Sequence, residues 1–173
     1  MEGWTEDEIR NKNLMAPCGL YCGTCGVYIA TRDGNTKFKE ILGTLYGSKP
    51  EDTECVGCMQ PEPPEKMYGF CRICSIRDCV RGKGYYSCHQ CAEWPCERIE
   101  TFGLATGRRV MKGTIPVWRS RVAELGDDEG SVEWARSVCA RYHCVGCGKP
   151  LFRGARRCRS CGRDVTEELD GAL

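Results

Sequence analysis

Cys18, Cys22 and Cys25 stand in the stretch CGLYCGTCG with the spacing C-x3-C-x2-C. Two chemistries use that arrangement. In one, three thiolates hold an iron-sulfur cluster whose open iron binds S-adenosylmethionine; in the other, they form part of a thiolate cage around a metal ion. The radical chemistry fails on context. The position before the last cysteine is Thr24 rather than an aromatic residue. The residues up to Cys96, where a barrel of strands and helices is needed, instead carry eight further cysteines and a proline-rich loop.

The chain holds 16 cysteines in 173 residues, enough for thiols rather than a large apolar core to organise the fold. Twelve of them fall into six C-x2-C pairs: Cys22/Cys25, Cys55/Cys58, Cys71/Cys74, Cys88/Cys91, Cys144/Cys147 and Cys158/Cys161. Two thiolates three positions apart bite one ion from a single tight turn, a repeat that disulfide frameworks rarely use. The N-terminal MEGWTEDEIRNKN is acidic and polar, without the basic start and apolar run of a secretory signal, and no stretch reaches the length of a membrane span. The expectation is a cytoplasmic protein with reduced, metal-binding cysteines and no membrane partner. The formal charge of +1 counts thiols as neutral. Each four-thiolate zinc site adds about −2, so the loaded molecule is acidic and its net charge argues against general nucleic-acid binding.

The clearest site is CVGCGKPLFRGARRCRSCG, with Cys144, Cys147, Cys158 and Cys161 as two knuckles ten residues apart and a glycine after each. Glycine lets the chain turn back so that backbone N–H groups face the sulfurs. The pattern of Cys144, Cys147, Gly148, Cys158, Cys161 and Gly162 resembles the zinc ribbon family over about 22 residues. That resemblance implies a β ribbon around one structural zinc closed by four protein ligands, with iron as the competing ion. Arg141 to Arg163 holds seven Lys or Arg and no acid. Neutralisation of an anionic site accounts for Arg153, Arg156, Arg157 and Arg159 more economically than a nucleic-acid footprint does.

Further upstream, Cys71-x2-Cys74-x4-Cys79 is echoed by Cys88-x2-Cys91-x4-Cys96. Neither unit has a fourth ligand at zinc-knuckle spacing, so each must borrow ligands from the distant Cys18, Cys22, Cys25, Cys55 and Cys58. The runs CGLYCGTC, CVGC, CSIRDC and YSCHQCAEWPCERI are similar to the prokaryotic domain of unknown function 3795, from about Pro17 to Phe102. The matching positions are Cys18, Cys22, Cys25, Cys55, Cys58, Cys74, Cys79, Cys88, Cys91 and Cys96, and Cys71 falls outside that pattern. The resemblance implies a metal-binding, zinc-type domain with no established activity. Ten thiols can form two zinc sites with two to spare, a shared-thiolate cluster, or one zinc and one 4Fe-4S cluster. The cluster alternative uses Cys18, Cys22 and Cys25 with a distant fourth ligand such as Cys96. His89 and His143 sit beside cysteines, where an exposed or hydrogen-bonded histidine is the simpler reading, and Cys139 reads as a small core residue.

The elements that carry these ligands follow from periodicity and breakers. Residues 1–14 read as a flexible lead and 15–102 as the cysteine-rich metal domain. A helical connector then covers 103–142, the ribbon 143–166 and an acidic tail 167–173. Asn35 to Tyr46 has helical spacing of Phe38, Ile41, Leu42, Leu45 and Tyr46, and Gln60 to Lys66 is an extended loop. A helix opening at Ile115-Pro116 and ended by Gly126 carries Trp118, Val122 and Leu125. A second, capped by Ser131, runs to about Tyr142 with Trp134 as core. The fold class expected is a small, irregular, metal-organised α+β protein with a C-terminal β zinc ribbon.

No catalytic motif is present: no H-E-x-x-H, no phosphate loop, no G-x-S-x-G. The function expected is a zinc-binding protein-interaction module, with one Zn2+ in the ribbon, two in the core and another protein as partner. The alternatives are an iron-sulfur redox accessory protein with a 4Fe-4S core, or nucleic-acid binding through the basic ribbon.

Overall fold

The structure, a computed structural model, describes residues 3–166 and 169. Among the described residues there are eight α-helices: α1 (Glu6–Arg10), α2 (Gly26–Arg32), α3 (Thr36–Tyr46), α4 (Gly69–Arg72), α5 (Ser75–Gly82), α6 (Glu97–Glu100), α7 (Ala105–Leu125) and α8 (Asp127–Arg141). Short 3-10 turns at Lys12–Leu14, Cys22–Thr24, Pro50–Asp52 and Cys88–Gln90 lie between them. Among the described residues there is no strand, so the expected α+β class and its β ribbon are overturned: the fold is helical. Among the described residues the only pairings of β type are the isolated bridges His143 with Pro150 and Arg157 with Asp164. The physical reason lies in how the C-terminal backbone spends its hydrogen bonds. Leu151 N–H to Tyr142 O, with Cys144 N–H to Lys149 O, closes the first bridge, but Arg153 N–H, further along, goes to Thr24 O, so the ladder stops after one pair.

The scaffold is the antiparallel pair α7 and α8. Gly126, at φ +84°, ends one helix and begins the other, a conformation that L side chains rarely adopt. Gly130 allows close crossing, since a Cβ there would lie 2.5 Å from Arg121 O and from Val122 Cα. Trp118 and Trp134 stack across the pair at 3.8 Å and 6°, and Trp118 Nε1 donates to Ser131 Oγ over 2.8 Å, which satisfies both buried polar groups. Both tryptophans are core residues, as expected. The helix over α7 begins well before Pro116, which sits inside it. The missing proline N–H removes one helical bond, and the buried stripe Val110, Met111, Ile115 and Trp118 holds the element through it. Ser131 is an interior residue of α8, whose first turn carries Asp127, Asp128 and Glu129 against the helix dipole.

Residues 5–14, read from sequence as part of a flexible lead, form a helix and a 3-10 turn against α8. Thr5 and Glu8 close a capping box, Ile9 and Leu14 are buried, and Arg10 and Arg136 pair with Glu129 and Glu6. Helix α3 has the expected bounds, with Asn35 Oδ1 accepting from Phe38 N at 2.9 Å and Gly47 in the left-handed region as its end. Of its five spaced apolar residues only Phe38 and Leu42 are buried, while Ile41, Leu45 and Tyr46 face outward. The loop over 60–66 is held by Gln60, whose buried amide donates to Gly57 O and Lys66 O and accepts from Glu65 N. No helix of the described residues is long and apolar enough to cross a membrane. The acidic tail of 167–173 lies outside the described residues except for Leu169, which packs on the C-terminal cluster.

Candidate metal centres

Cys144, Cys147, Cys158 and Cys161 converge, with one sulfur from each within 4.8 Å of all the others. Cys144 Sγ lies 3.6 Å from Cys161 Sγ, and Cys147 Sγ 3.7 Å from Cys158 Sγ. Four thiolates at a metal–sulfur distance of about 2.3 Å define a tetrahedron with an edge of roughly 3.8 Å, so this spacing fits one ion. The two knuckles share a backbone pattern. Cys144 N–H donates to Lys149 O and Gly148 N–H to Cys144 O; Cys158 N–H donates to Arg163 O and Gly162 N–H to Cys158 O. Gly148 and Gly162 take φ of 68° and 72°, the positive values that the sequence pattern anticipates.

The electrostatics of this quartet call for a cation. Burial opposes ionisation of Cys158, but the N–H groups of Cys161 and Ser160 and the adjoining thiols outweigh it and hold its pKa at about 7. The Lys149 N–H favours a Cys147 thiolate, yet desolvation and the three crowded thiols push its pKa up to about 12. One sulfur ionises at the expense of its neighbours, because four like charges at this separation cannot coexist uncompensated. A divalent ion resolves that conflict for all four.

The quartet is docked on the core through arginines and aromatics. Arg153 N–H donates to Thr24 O at 2.8 Å, Arg153 Nε to Tyr142 Oη at 3.0 Å, and its guanidinium lies over the Tyr142 ring. Arg159 stacks on Phe38 at 4.2 Å and pairs with Asp33 at 3.7 Å, while Phe152 packs against Phe38. Arg157 pairs with Asp164 at the surface. Two of the four clustered arginines are therefore used to seat the quartet.

The eleven upstream cysteines sort into two sets. In the first, thiol–thiol interactions link Cys22 to Cys58, Cys58 to Cys71 and Cys71 to Cys55, with Cys25 close by. Cys71, outside the sequence pattern, is thus a member. Cys25 precedes α2 and accepts N–H bonds from Tyr28 and Val27, and Cys55 accepts them from Tyr68 and Gly57. Such N–H···S contacts are the outer shell of thiolate centres. Without an ion these thiols stay protonated: contact with Cys71 and then burial raise Cys55, and burial raises Cys25. In the second set, Cys79, Cys88, Cys91 and Cys96 line one cavity of about 610 Å³. Burial pushes both Cys18 and Cys88 up to about 12, and Cys74 lies close enough to oppose the ionisation of both, as Cys88 does that of Cys18. Two of the C-x2-C pairs share one local geometry, a 3-10 turn closed by Cys25 N–H to Cys22 O and by Cys91 N–H to Cys88 O.

The sequence echo does not survive as a structural repeat. Cys71 joins the first set, Cys79 the cavity, and Cys74 precedes α5, whereas Cys88, Cys91 and Cys96 stay together. Cys96 lines the cavity with Cys79, Cys88 and Cys91, whereas Cys22 and Cys25 lie in the first set. His89 Nε2 lies 2.9 Å from Asp127 Oδ1 and its ring stacks on Trp118, with burial lowering its pKa despite that carboxylate. His143 is exposed, and Cys139 is buried beside Tyr21.

Residues 14–101, the segment holding both sets, match the family described as protein of unknown function (DUF3795). The chain belongs to that family. Within this DUF3795 protein the family segment ends at the close of α6, so α7, α8 and the C-terminal quartet lie beyond it. Comparison with curated proteins and with solved structures returns no match.

Proposed function

We propose that this protein is a zinc-binding interaction module in which thiolate-held ions brace the fold rather than perform chemistry. The observation that carries this reading is the closed C-terminal quartet. Its four sulfurs supply every vertex of a tetrahedron, and an ion with four protein ligands keeps no position for substrate or activated water. The first core set extends the same logic. Cys22, Cys55 and Cys58, joined by Cys25 and Cys71, come from three chain segments that are distant in sequence. An ion at their centre contributes folding energy that a small core does not.

The partner side of the proposal rests on an aromatic run between α3 and α4. Tyr46, Tyr68 and Phe70 succeed one another at 6.0 and 5.8 Å, and Phe70 and Ile73 are 71% and 80% exposed. Exposed apolar residues in a contiguous patch mark contact surfaces for protein. The test combines zinc analysis of the purified chain with affinity purification of wild type and Phe70→Asp. Tightly held zinc, with a bound protein that the variant loses, supports the reading. A metal-free chain that unfolds cooperatively with its full near-UV signal contradicts it.

A further inference from the structure

The geometry points to a polynuclear iron-sulfur site in the cavity lined by Cys79, Cys88, Cys91 and Cys96, separate from the single-ion centres. This inference rests on the reading of the core cysteines as metal ligands and gives one set of them a different cofactor.

Spacing is the first argument. The C-terminal quartet shows how this chain closes a single-ion site, with sulfurs 3.6 and 3.7 Å apart across its two knuckles. The cavity cysteines form no such group. Among the described residues only the C-terminal set brings three or more potential ligands within 4.8 Å of one another. The first core set does not meet that spacing either. What sets Cys79, Cys88, Cys91 and Cys96 apart is the cavity of about 610 Å³ that all four line. A four-iron cluster places a cage of iron and sulfide between its cysteine ligands, so its sulfurs must stand further apart than four thiolates on one ion.

The cavity wall is the second argument. Ile76, Val80 and Ile99 are buried residues that give it an apolar side, the low-dielectric setting that shields bound sulfide from water. Lys83, also in the lining, places its Nζ 3.6 Å from Cys91 Sγ while pairing with Glu93 at 2.8 Å. An ammonium on a ligand sulfur compensates the net negative charge of four thiolates around a cluster and donates the kind of hydrogen bond that tunes cluster potentials.

The experiment is anaerobic reconstitution of the full chain with equal amounts of ferric and ferrous iron and with sulfide, after loading with zinc, followed by elemental analysis, visible spectroscopy and electron paramagnetic resonance. The expected result is about four iron and four sulfide per chain with broad visible absorption that bleaches on reduction by dithionite. Cys91→Ser should lose the iron and keep the zinc. Because the wild-type spectrum needs no variant, a Cys91→Ser chain that fails to fold leaves the test intact. A cobalt(II) titration separates the failures. A mononuclear tetrahedral thiolate spectrum abolished by Cys91→Ser, with no sulfide incorporated, overturns the cluster and leaves the metal-binding reading standing. No metal bound by any core cysteine overturns both.

Discussion

Gly57→Ala probes whether the core thiolate set depends on backbone shape. Gly57 lies in the turn Cys55-Val56-Gly57-Cys58 at φ +127°, and an added Cβ would sit 2.3 Å from Asn13 O and 2.8 Å from Asn13 C. The nearest atoms are backbone, so no side-chain rotation relieves the contact. Asn13 O also accepts the Met59 N–H at 3.1 Å, the bond that anchors this turn to the N-terminal segment. Holding a non-glycine residue in that region of φ costs about 1–3 kcal/mol. Pushing the two segments apart sacrifices one further hydrogen bond of about 1 kcal/mol. Together these place the destabilisation at roughly 2–4 kcal/mol, which for a chain of this size lowers the melting midpoint by roughly 4–16 °C. The assay is thermal unfolding followed by circular dichroism, with bound zinc counted before heating. The variant should also hold one zinc fewer, because Cys55 and Cys58 move with the turn. A midpoint within 2 °C of wild type (below the shift from about 1 kcal/mol) and undiminished zinc would refute the reasoning.

Three further outcomes follow from named contacts. Glu8 accepts from Thr5 N, Tyr28 Oη and Arg32 Nη1, and although burial opposes its charge these bonds hold its pKa below the ordinary 4.5. A depressed carboxylate stabilises fully above its unfolded value and loses that contribution as pH falls through the folded one. Glu8→Gln should therefore cost about 1.5–3 kcal/mol near neutral pH, with the difference from wild type shrinking below pH 4.5, as read from urea melts. Cys158→Ser should remove one metal ion per chain yet leave the near-UV dichroism of the Trp118–Trp134 stack, since no Trp or Tyr lies within 143–166. A collapsed tryptophan signal would show that the quartet holds the whole fold. Arg159→Ala removes the stack on Phe38 and the contact with Asp33, a loss of about 1–2 kcal/mol. Limited proteolysis should then cut within 143–166 faster while the quartet still binds its ion, and an unchanged cleavage rate would argue against docking through this side chain.

Much of the local chemistry was legible in the residues. The paired spacing of Cys144, Cys147, Cys158 and Cys161 and the glycines behind each pair suffice to place four sulfurs on one point, because both knuckles are closed by bonds within six residues of sequence. Helix α3 and the core role of Trp118 and Trp134 were equally readable from periodicity and capping. What failed is what depends on distant partners. A β ribbon was expected between the knuckles, but the bonds from Leu151 to Tyr142 and from Cys144 to Lys149 close a single bridge, and past it Arg153 turns its N–H to Thr24 O, a residue that no local pattern connects to it. Pro116 read as a helix start because a proline at N1 is favourable. The stripe Val110, Met111, Ile115 and Trp118 that carries the helix through it was present as a signal and went unused. The grouping of core thiols was hidden for a deeper reason. Cys71 and Cys74 sit in adjacent turns yet go to different sets, a partition decided by the orientation of α4 and α5 rather than by spacing.

The most direct test of the account is the metal content and sulfur coordination of the C-terminal quartet, measured by elemental analysis and zinc-edge X-ray absorption on protein purified without added metal, for wild type and Cys144→Ser/Cys158→Ser. The account predicts zinc with four sulfur neighbours at about 2.3 Å in wild type and the loss of one such ion in the double variant. A wild-type chain that is folded, contains no metal and leaves all 16 thiols free to titrate would contradict it.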